Sequence, residues 1–356
     1  MQTKIVRKIK ESHDTVSLEL ELSPSILNEF KSGQYLDLEF EINGKLYVRP
    51  YSVSSISDSS KAWITVKKIN KGIVSNYIFD VLKEFDQIQF KKVNGKFFVV
   101  PNHSTRKAYY FIAAGVGITP IKSMIHSLLE NEPTSLVHLF YANKTQEDIL
   151  FYPLWLEWKE KYRDQFFVEF ILSKSENTGG FFSFLSKKSN TWNGLKGRIN
   201  ELQLNRFLNE HPSQELESHF YICGPEEFNQ SISSILKKSV PPSQIHLEYF
   251  HIEQSADTNF SPSGKKSHLK VKLRGKDYEF EIDQSKKIID LLVEKKLNPP
   301  YSCSSGACAT CIAKLHEGKV KMDVSMALDQ EEIDQNWILS CQSRVISDTA
   351  SIEFME

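Results

Sequence analysis

The sequence predicts a multidomain protein with an antiparallel β-barrel, a doubly wound α/β domain and a small α+β domain of the β-grasp type. Three observations support this prediction. Short strands of alternating polarity fill the first hundred residues, buried apolar runs then alternate with helices, and a hairpin, a helix and a cysteine-rich loop follow. A chain of 356 residues is also too long for one ordinary core. We expect domains at residues 1–103, 104–251 and 267–356, with a linker at 252–266.

The barrel prediction is based on strands that alternate between apolar and polar residues. Thr15–Leu22 and Tyr35–Phe40 show this alternation, and Ala62–Val66 is a third strand candidate. Asn43 and Gly44 form a hairpin signal directly after the second of these strands. Many short strands joined by turns are typical of a small antiparallel barrel.

The second domain is predicted from continuous apolar runs, which are typical of parallel strands buried on both faces. These runs are Tyr109–Ala114, Leu136–Tyr141, Phe166–Leu172 and His219–Cys223. Helical stretches lie between and after them, including Ile121–Glu130 and Phe228–Lys237. The alternation of strand and helix predicts a doubly wound α/β domain.

The third domain follows the polar linker. Leu269–Leu273 and Tyr278–Ile282 alternate on either side of Gly275, which indicates a hairpin. Ile288–Lys296 has helical periodicity and ends shortly before a Pro-Pro pair. Two strands and a helix before a metal-binding loop predict a β-grasp fold.

The loop contains the most specific motif of the chain, a C-x4-C-x2-C spacing completed by a distant fourth cysteine. The predicted metal ligands are Cys303, Cys308, Cys311 and Cys341. This spacing is the plant-type arrangement for a [2Fe–2S] cluster. The small residues Gly306, Ala307 and Ala309 allow the backbone to approach a cluster closely. A zinc site with four cysteine ligands is the alternative, although zinc sites more often show two C-x2-C pairs.

Composition limits the remaining possibilities. Lys plus Arg is 44 and Asp plus Glu is 45, so the net charge of −1 argues against a dedicated nucleic-acid binder. The first residues are charged where a signal peptide is apolar, and no apolar run has the length of a membrane span. Only Cys223 remains outside the cysteine motif, so no disulfide is proposed. These features predict a cytoplasmic protein without a nucleic-acid partner.

Weaker motifs occur in the first two domains. Gly115 and Gly117 follow a buried strand, with Thr119 as an expected N-cap and Pro120 in the first helical turn. Such a turn suits a nucleotide phosphate, but any tight strand-to-helix turn could use it. Cys223 precedes Gly-Pro and would otherwise be read as a buried cysteine beside a turn.

The barrel carries two similar signals. Arg49 could pair with a phosphate, Tyr51 could stack on a flat ring, and Ser52 could bond a ring nitrogen. Gly72 and Ser75 precede a short helical stretch at Tyr77–Leu82, which indicates an anion site. Taken alone, the commoner explanations are an ordinary barrel strand with a surface arginine for the first signal and a capped helix for the second.

Taken in order, these motifs resemble the ferredoxin–NADP reductase superfamily. The resemblance is closer to reductase components of multicomponent oxygenases with a C-terminal plant-type [2Fe–2S] ferredoxin domain, and closest to those of phenylacetyl-CoA epoxidases. It covers essentially the whole chain. It implies a flavin-binding barrel domain, a nucleotide-binding α/β domain and a β-grasp ferredoxin domain.

The resemblance also implies roles for individual residues. It places Ser52, Cys223 and Phe250 at the reacting rings as catalytic residues. The flavin, expected to be FAD, would be held by Arg49, Tyr51, Ser52, Val66, Lys67, Gly72, Val74 and Ser75. The nicotinamide nucleotide would be held by Gly117, Thr119, Pro120, Ser173, Lys174 and Cys223.

Three lysines depart from the family pattern. Lys71 replaces the first glycine of a Gly-Gly pair, and Lys144 and Lys174 replace arginines that often follow Tyr-x-Asn and Ser. Lysine keeps the positive charge but loses the bidentate guanidinium fork. A phosphate beside Ser173 and Lys174 is still expected, which favours NADPH slightly over NADH.

The implied activity is an NAD(P)H-dependent oxidoreductase. Electrons would pass from NADPH through FAD and the cluster to an oxygenase or hydroxylase component, of the phenylacetyl-CoA epoxidase type. One alternative is an FMN-containing, NADH-dependent dioxygenase reductase, and another is a reductase for a different hydroxylase. A third, from another class, is a non-catalytic binding protein with a zinc-stabilised tail.

Overall fold

A computed structural model describes residues 1–174, 192–249, 264–301, 306, 309–325, 327–328 and 330–355. The chain divides into two compact units, Met1–Ile42 with Tyr51–Phe250 and Asn43–Pro50 with His251–Glu356. Among the described helices, none combines the length and apolar character needed to cross a membrane.

The first domain is a closed six-stranded barrel with strand order β1-β2-β5-β4-β3-β6. Its strands are β1 (Gln2–Lys10), β2 (Thr15–Glu21), β3 (Tyr35–Ile42), β4 (Lys45–Asp58), β5 (Lys61–Lys67) and β6 (Gln87–Asn94). Two short helices are α1 (Pro24–Glu29) and α2 (Ile73–Asp80). The predicted barrel is confirmed, and the hairpin signal is also confirmed because Asn43 and Gly44 both have positive φ, 52° and 72°. Helix α2 begins four residues earlier than the sequence predicts.

The second domain is a six-stranded parallel sheet with strand order β10-β9-β8-β7-β11-β12. Its strands are β7 (Ala108–Ala114), β8 (Leu136–Asn143), β9 (Phe166–Leu172), β10 (Leu195–Lys196), β11 (Ser218–Gly224) and β12 (Ile245–Tyr249). Its helices are α3 (Ile118–Asn131), α4 (Tyr152–Lys161), α5 (Glu201–Glu210) and α6 (Glu226–Leu236). Apolar clusters cover both faces of this sheet, as expected for parallel strands. The predicted runs all form strands, whereas the edge strands β10 and β12 were not predicted.

The C-terminal domain has a five-stranded sheet with strand order β14-β13-β19-β15-β17 and a separate β16-β18 pair. Its strands are β13 (Lys266–Leu273), β14 (Lys276–Asp283), β15 (Ile312–Glu317), β16 (Val320–Met322), β17 (Trp337–Leu339), β18 (Ser343–Val345) and β19 (Thr349–Phe354). The helices are α7 (Ile288–Glu294) and α8 (Gln330–Asp334). Strand β13 begins at Lys266, the last residue of the predicted linker, and residues 250–263 lie outside the described chain.

Candidate functional site

The turn between β7 and α3 packs closely against the end of β11. Gly115 has a φ of +54°. A Cβ atom at Gly117 would lie 2.2 Å from the carbonyl oxygen of Cys223 and 2.8 Å from the nitrogen of Gly224. Only a glycine fits this contact. The fold therefore brings together Gly117 and Cys223, two of the residues expected to contact the nucleotide.

Thr119 lies inside the helix and not at its cap, which corrects the sequence-based expectation. The N-cap of α3 is Gly117, which has no side chain to offer, and Pro120 is the third helical residue, within the first turn. The Thr119 hydroxyl donates to the carbonyl of Val116 at 3.1 Å. Thr119 thus stabilises the turn through this hydrogen bond. The N-cap of α3 makes no side-chain hydrogen bond to the first amide groups of the helix.

Tyr141 also fixes this turn, and sequence reasoning missed it. Its side chain is fully buried, and its hydroxyl donates to the carbonyl of Gly115 at 2.8 Å. The available signal was a tyrosine at the end of an apolar run, directly before Ala142 and Asn143. The hydroxyl holds the loop at the carboxyl edge of the sheet, where open α/β folds bind ligands.

Cys223 and Glu248 are cross-strand neighbours on β11 and β12. Burial raises the pKa of the Cys223 thiol, and the charge of Glu248 raises it further, so the thiol is protonated at neutral pH. Burial likewise raises the pKa of Glu248 to about 8. Its Oε2 atom is buried without a hydrogen-bond partner in the part of the chain that the structure describes. Phe250, the third predicted catalytic residue, lies outside that part.

Ser173 and Lys174 follow the end of β9 and lie beside the residues that end β8. The amide of Ser173 donates to the carbonyl of Asn143 at 2.9 Å. The amide of Lys174 donates to the carbonyl of Lys144 at 2.8 Å. Two lysines therefore stand side by side at the carboxyl edge of the sheet, an arrangement that suits a phosphate group.

The barrel places Tyr51 and Ser52 next to each other on β4. Tyr51 packs edge-on against Phe40, with ring centroids 6.4 Å apart, and Phe40 makes the same kind of contact with Tyr77 of α2 at 6.3 Å. Ser52 is buried. Separately, the guanidinium of Arg49 donates to the carbonyl of Val48 at 2.8 Å.

The start of α2 is a second helix N-terminus without a side-chain cap. Its N-cap is Gly72, and the hydroxyl of Ser75 accepts a hydrogen bond from the amide of Ile69 at 3.2 Å. Val74 and Ser75 are buried. The left-handed position of this turn, with a φ of 61°, is occupied by Lys71. The uncapped first amides fit an anionic group such as a diphosphate.

The last two predicted flavin ligands lie on β5. Val66 is buried and is paired with Val16 of β2. Lys67 is paired with Thr15 in the same ladder, and its ammonium lies 3.1 Å from the Asp14 carboxylate. The Lys67 side chain is thus held by an ion pair, which leaves its backbone as the part that could approach a flavin.

Two of the four predicted cluster ligands are described, and both are buried. The exposed fraction is 2% for Cys311 and 1% for Cys341. The amide and hydroxyl of Ser340 both donate to the carbonyl of Cys311, at 3.1 and 2.9 Å, which brings the two cysteine segments together. The side-chain amide of Gln342 donates to the Cys341 sulfur at 3.7 Å. Cys303 and Cys308 lie outside the described residues.

Two described residues before Cys311, Gly306 and Ala309, have left-handed backbone conformations. Gly306 has a φ of +81°, and a Cβ atom there would lie 3.0 Å from Cγ of Gln342 and 3.1 Å from the carbonyl of Val324. Ala309 is also left-handed, with a φ of 52°. Two buried thiols, two left-handed residues between the predicted ligands and an N–H donor to sulfur fit a thiolate-bound cluster.

Three family models match consecutive parts of the chain. Residues 2–99 match an oxidoreductase FAD-binding domain, residues 111–234 an oxidoreductase NAD-binding domain, and residues 271–345 a 2Fe-2S iron-sulfur cluster binding domain. The chain is also 30% identical over 337 residues to the ferredoxin reductase component of 3-ketosteroid-9-alpha-monooxygenase from Mycobacterium tuberculosis, covering 92% of this chain and 86% of that protein. The chain belongs to the family of oxygenase reductase components. This reductase is therefore an oxidoreductase with FAD, nicotinamide nucleotide and [2Fe–2S] cofactors, as the sequence predicted.

Two further likenesses extend over almost the whole reductase. It is 27% identical over 352 residues to a component of 1,2-phenylacetyl-CoA epoxidase from Escherichia coli, covering 97% of this chain and 94% of that protein. Its fold is similar to phthalate dioxygenase reductase, described as a modular structure for electron transfer from pyridine nucleotides to [2Fe–2S]. That match has a TM-score of 0.61 at 23% identity and covers 99% of this chain and 98% of the other.

Proposed function

We propose that the reductase draws electrons from NADPH and delivers them to the oxygenase component of a phenylacetyl-CoA epoxidase type of system in the cytoplasm. The proposed partner is supported by the similarity to the epoxidase component from Escherichia coli, which is 27% identical over 97% of this chain. When bound, the three groups supply a hydride donor, a carrier that accepts two electrons and releases them singly, and a one-electron carrier.

In this proposal the residues of the chain bind, orient and exclude water, and none needs to act as a nucleophile. Tyr51 supports the flavin ring, and the uncapped start of α2 takes the diphosphate. Gly117 lets the nicotinamide nucleotide approach the backbone, and the buried, protonated thiol of Cys223 forms an uncharged wall behind it. The other residues predicted to hold the flavin and the nucleotide keep those roles as part of the proposal.

The preference for NADPH is supported by Lys144 and Lys174, which the backbone hydrogen bond joins at the sheet edge. We expect Lys174→Gln to lower kcat/KM for NADPH about tenfold, because a charge-assisted contact to the 2′-phosphate is lost. The same ratio for NADH should stay unchanged, since NADH lacks that phosphate. Lys159→Gln, at an exposed lysine of α4, is the matched control. An equal loss with both nucleotides would contradict the proposal.

The exit of electrons through the C-terminal domain is tested with Cys341→Ser. We expect NADPH to reduce the flavin of this variant at the wild-type rate, while reduction of the one-electron acceptor cytochrome c is abolished. Stopped-flow absorbance at the flavin band serves as the internal control. Unchanged cytochrome c reduction would mean that electrons leave by another route.

The oxygenase partner is tested by reconstitution. The reductase is mixed with purified oxygenase components of phenylacetyl-CoA epoxidase and of 3-ketosteroid-9-alpha-monooxygenase, and product formation is measured with NADPH. We expect turnover only with the first. A faster reaction with the second would reject the epoxidase proposal and leave the reductase activity itself intact.

A dioxygenase reductase with FMN and NADH is a second candidate, favoured by the full-length fold match to phthalate dioxygenase reductase. The FAD-binding match over residues 2–99 opposes it. Acid extraction of the bound flavin followed by chromatography separates the two, and FAD is the expected result.

A further inference from the structure

Helix α3 packs against the barrel as well as against its own sheet. A Cβ atom at Gly33, in the loop before β3, would lie 2.5 Å from Cε of Met124. The Nζ atom of Lys122, half a turn earlier in the same helix, lies 3.3 Å from the carbonyl oxygen of Ser54 on β4. Helix α3 thus meets the barrel through an apolar contact and a hydrogen bond, made by two residues that point in different directions from its axis.

Lysine is rarely buried, yet only 8% of Lys122 is exposed at this contact between α3 and the barrel. Among the described residues, Ser54 is the one hydrogen-bond partner of its ammonium, and the ring of Phe151 lies 4.8 Å away. Burial lowers the pKa of Lys122 to about 8, and the carboxylate of Glu11 opposes this shift. A buried ammonium is costly compared with leucine or methionine of similar length, so packing alone does not account for it.

The hydrogen bond joins the two elements on which the reaction depends. Ser54 lies two residues after Ser52 on the strand proposed to contact the flavin ring. Lys122 lies three residues after Thr119 on the helix proposed to seat the nicotinamide. The contact therefore links β4, the strand proposed to hold the flavin ring, to α3, the helix proposed to hold the nicotinamide ring.

Hydride transfer is sensitive to the separation of the two rings. Reacting atoms must lie about 3–3.5 Å apart, and a displacement of about 1 Å can cost about 100-fold in rate. An apolar contact such as Met124 on Gly33 resists separation but permits sliding. A charge-assisted hydrogen bond also fixes direction.

We propose that Lys122 is a positioning residue for hydride transfer, whose ammonium holds α3 and β4 in the register that aligns nicotinamide with flavin. This inference rests on the proposed placement of the two rings. Among the described residues, two titratable groups interact with the Lys122 charge. They are Glu11, from the β1–β2 turn, and His126 of its own helix, whose pKa is lowered by burial and also by the Lys122 charge.

The test compares Lys122→Met, which keeps the length and removes the charge, with Lys122→Arg and with the exposed control Lys161→Met in the flavin-loaded full chain. Anaerobic stopped-flow with NADPH measures the rate of flavin reduction, the Kd of NADPH and the nicotinamide–flavin charge-transfer absorbance. We expect Lys122→Met to reduce the rate at least tenfold and to weaken the charge-transfer band, with the Kd within twofold of wild type. Lys122→Arg should recover part of the rate, and Lys161→Met should match wild type.

Hydrogen exchange of the oxidised protein without NADPH provides a readout other than activity. Amides of residues 52–56 and 118–125 should exchange faster in Lys122→Met than in Lys161→Met. A wild-type rate in Lys122→Met, or a loss explained by a weaker Kd alone, would overturn the inference. If Lys122→Met does not retain flavin, Lys122→Gln takes its place under the same criteria. A wild-type chain that binds no flavin would instead reject the proposed function.

Discussion

The two helices proposed to receive cofactor phosphates, α2 and α3, both begin at a glycine N-cap without a side-chain hydrogen bond. Their turns nevertheless differ. In the turn before α3, Gly115 has the left-handed φ of +54°, and Gly117 lies against the backbone of Cys223. In the turn before α2, the left-handed residue is Lys71, with a φ of 61°.

The difference separates two reasons for placing a small residue at a phosphate-binding turn. Gly72 and Gly117 have φ values of −68° and −58°, which any residue can adopt. Gly117 is required by contact, because there is no room for a Cβ atom. At Lys71 the requirement is conformational, and the chain tolerates a side chain there at an energetic cost.

Breaking the contact should have the largest effect. In Gly117→Ala the new Cβ would meet the Cys223 carbonyl at 2.2 Å, so either α3 or the end of β11 must move. We expect flavin reduction by NADPH to fall by about 100-fold or more, because the nicotinamide seat shifts relative to the flavin. Flavin content should stay normal. Stopped-flow reduction and the flavin absorbance of the purified protein measure both quantities.

Gly115→Ala is the matched control within the same turn. No heavy atom lies within 4 Å of a Cβ at Gly115, so only the left-handed backbone opposes the substitution. The expected cost is about 1 kcal/mol in the free energy of unfolding, with a small change in reduction rate. If Gly115→Ala were as damaging as Gly117→Ala, conformation and not contact would control this turn.

The next largest expected effect is a pH dependence of stability caused by Glu248, the cross-strand neighbour of Cys223. Glu248 has a pKa raised from 4.5 to about 8 in the folded chain, so the folded state holds a proton that the unfolded state has released over this range. The contribution of Glu248 to stability should therefore fall as pH rises from about 4.5 to 8 and then level off. Burial lowers the pKa of His138 to about 3 and that of His246 to about 4, and these two groups change stability in the opposite direction. Because the Glu248 residue is of intermediate exposure although its Oε2 atom is buried, we expect a loss on the order of 1–2 kcal/mol.

Urea unfolding at pH 5 and pH 8 measures this loss. The difference in the free energy of unfolding between wild type and Glu248→Gln should change by this amount between the two pH values, because the histidine contributions are common to both proteins. Glu227→Gln, at an exposed position of α6, should show the pH dependence of wild type. Parallel curves for wild type and Glu248→Gln would show that the carboxyl is ionised in the folded protein at both pH values.

Sequence patterns predicted what depends on local periodicity. The alternation in Thr15–Leu22 and the continuous run in Tyr109–Ala114 each force a strand, because burying one face or both faces is the main source of stability. The spacing of the cysteines is equally local for three of the four ligands. These features predicted the three kinds of fold and the [2Fe–2S] cluster without knowledge of any contact, whereas the flavin and the nicotinamide nucleotide were implied only by the family resemblance.

What the sequence did not predict depends on distant contacts. The Ile-Val-Ser-Asn start of α2 has weak helix propensity, so its early beginning at Ile73 reflects packing of Val74 and Ile78 in the barrel core. The burial of Glu248 depends on β12, whose short alternating run lies at the sheet edge. Lys122 looks like an ordinary surface lysine until the fold brings β4 to within hydrogen-bonding distance of it.

The smallest expected effect tests the other turn. Lys71→Gly removes the left-handed strain but gives the unfolded chain more freedom, so we expect a net gain of about 0.5–1 kcal/mol in the free energy of unfolding. Lys83→Gly, at an exposed lysine without positive φ, should lose a similar amount. Urea unfolding of both variants measures the difference. If Lys71→Gly is more stable than wild type but releases its flavin at lower salt concentration, then the lysine is retained for its charge beside the diphosphate, and the strain is the cost of placing that charge there.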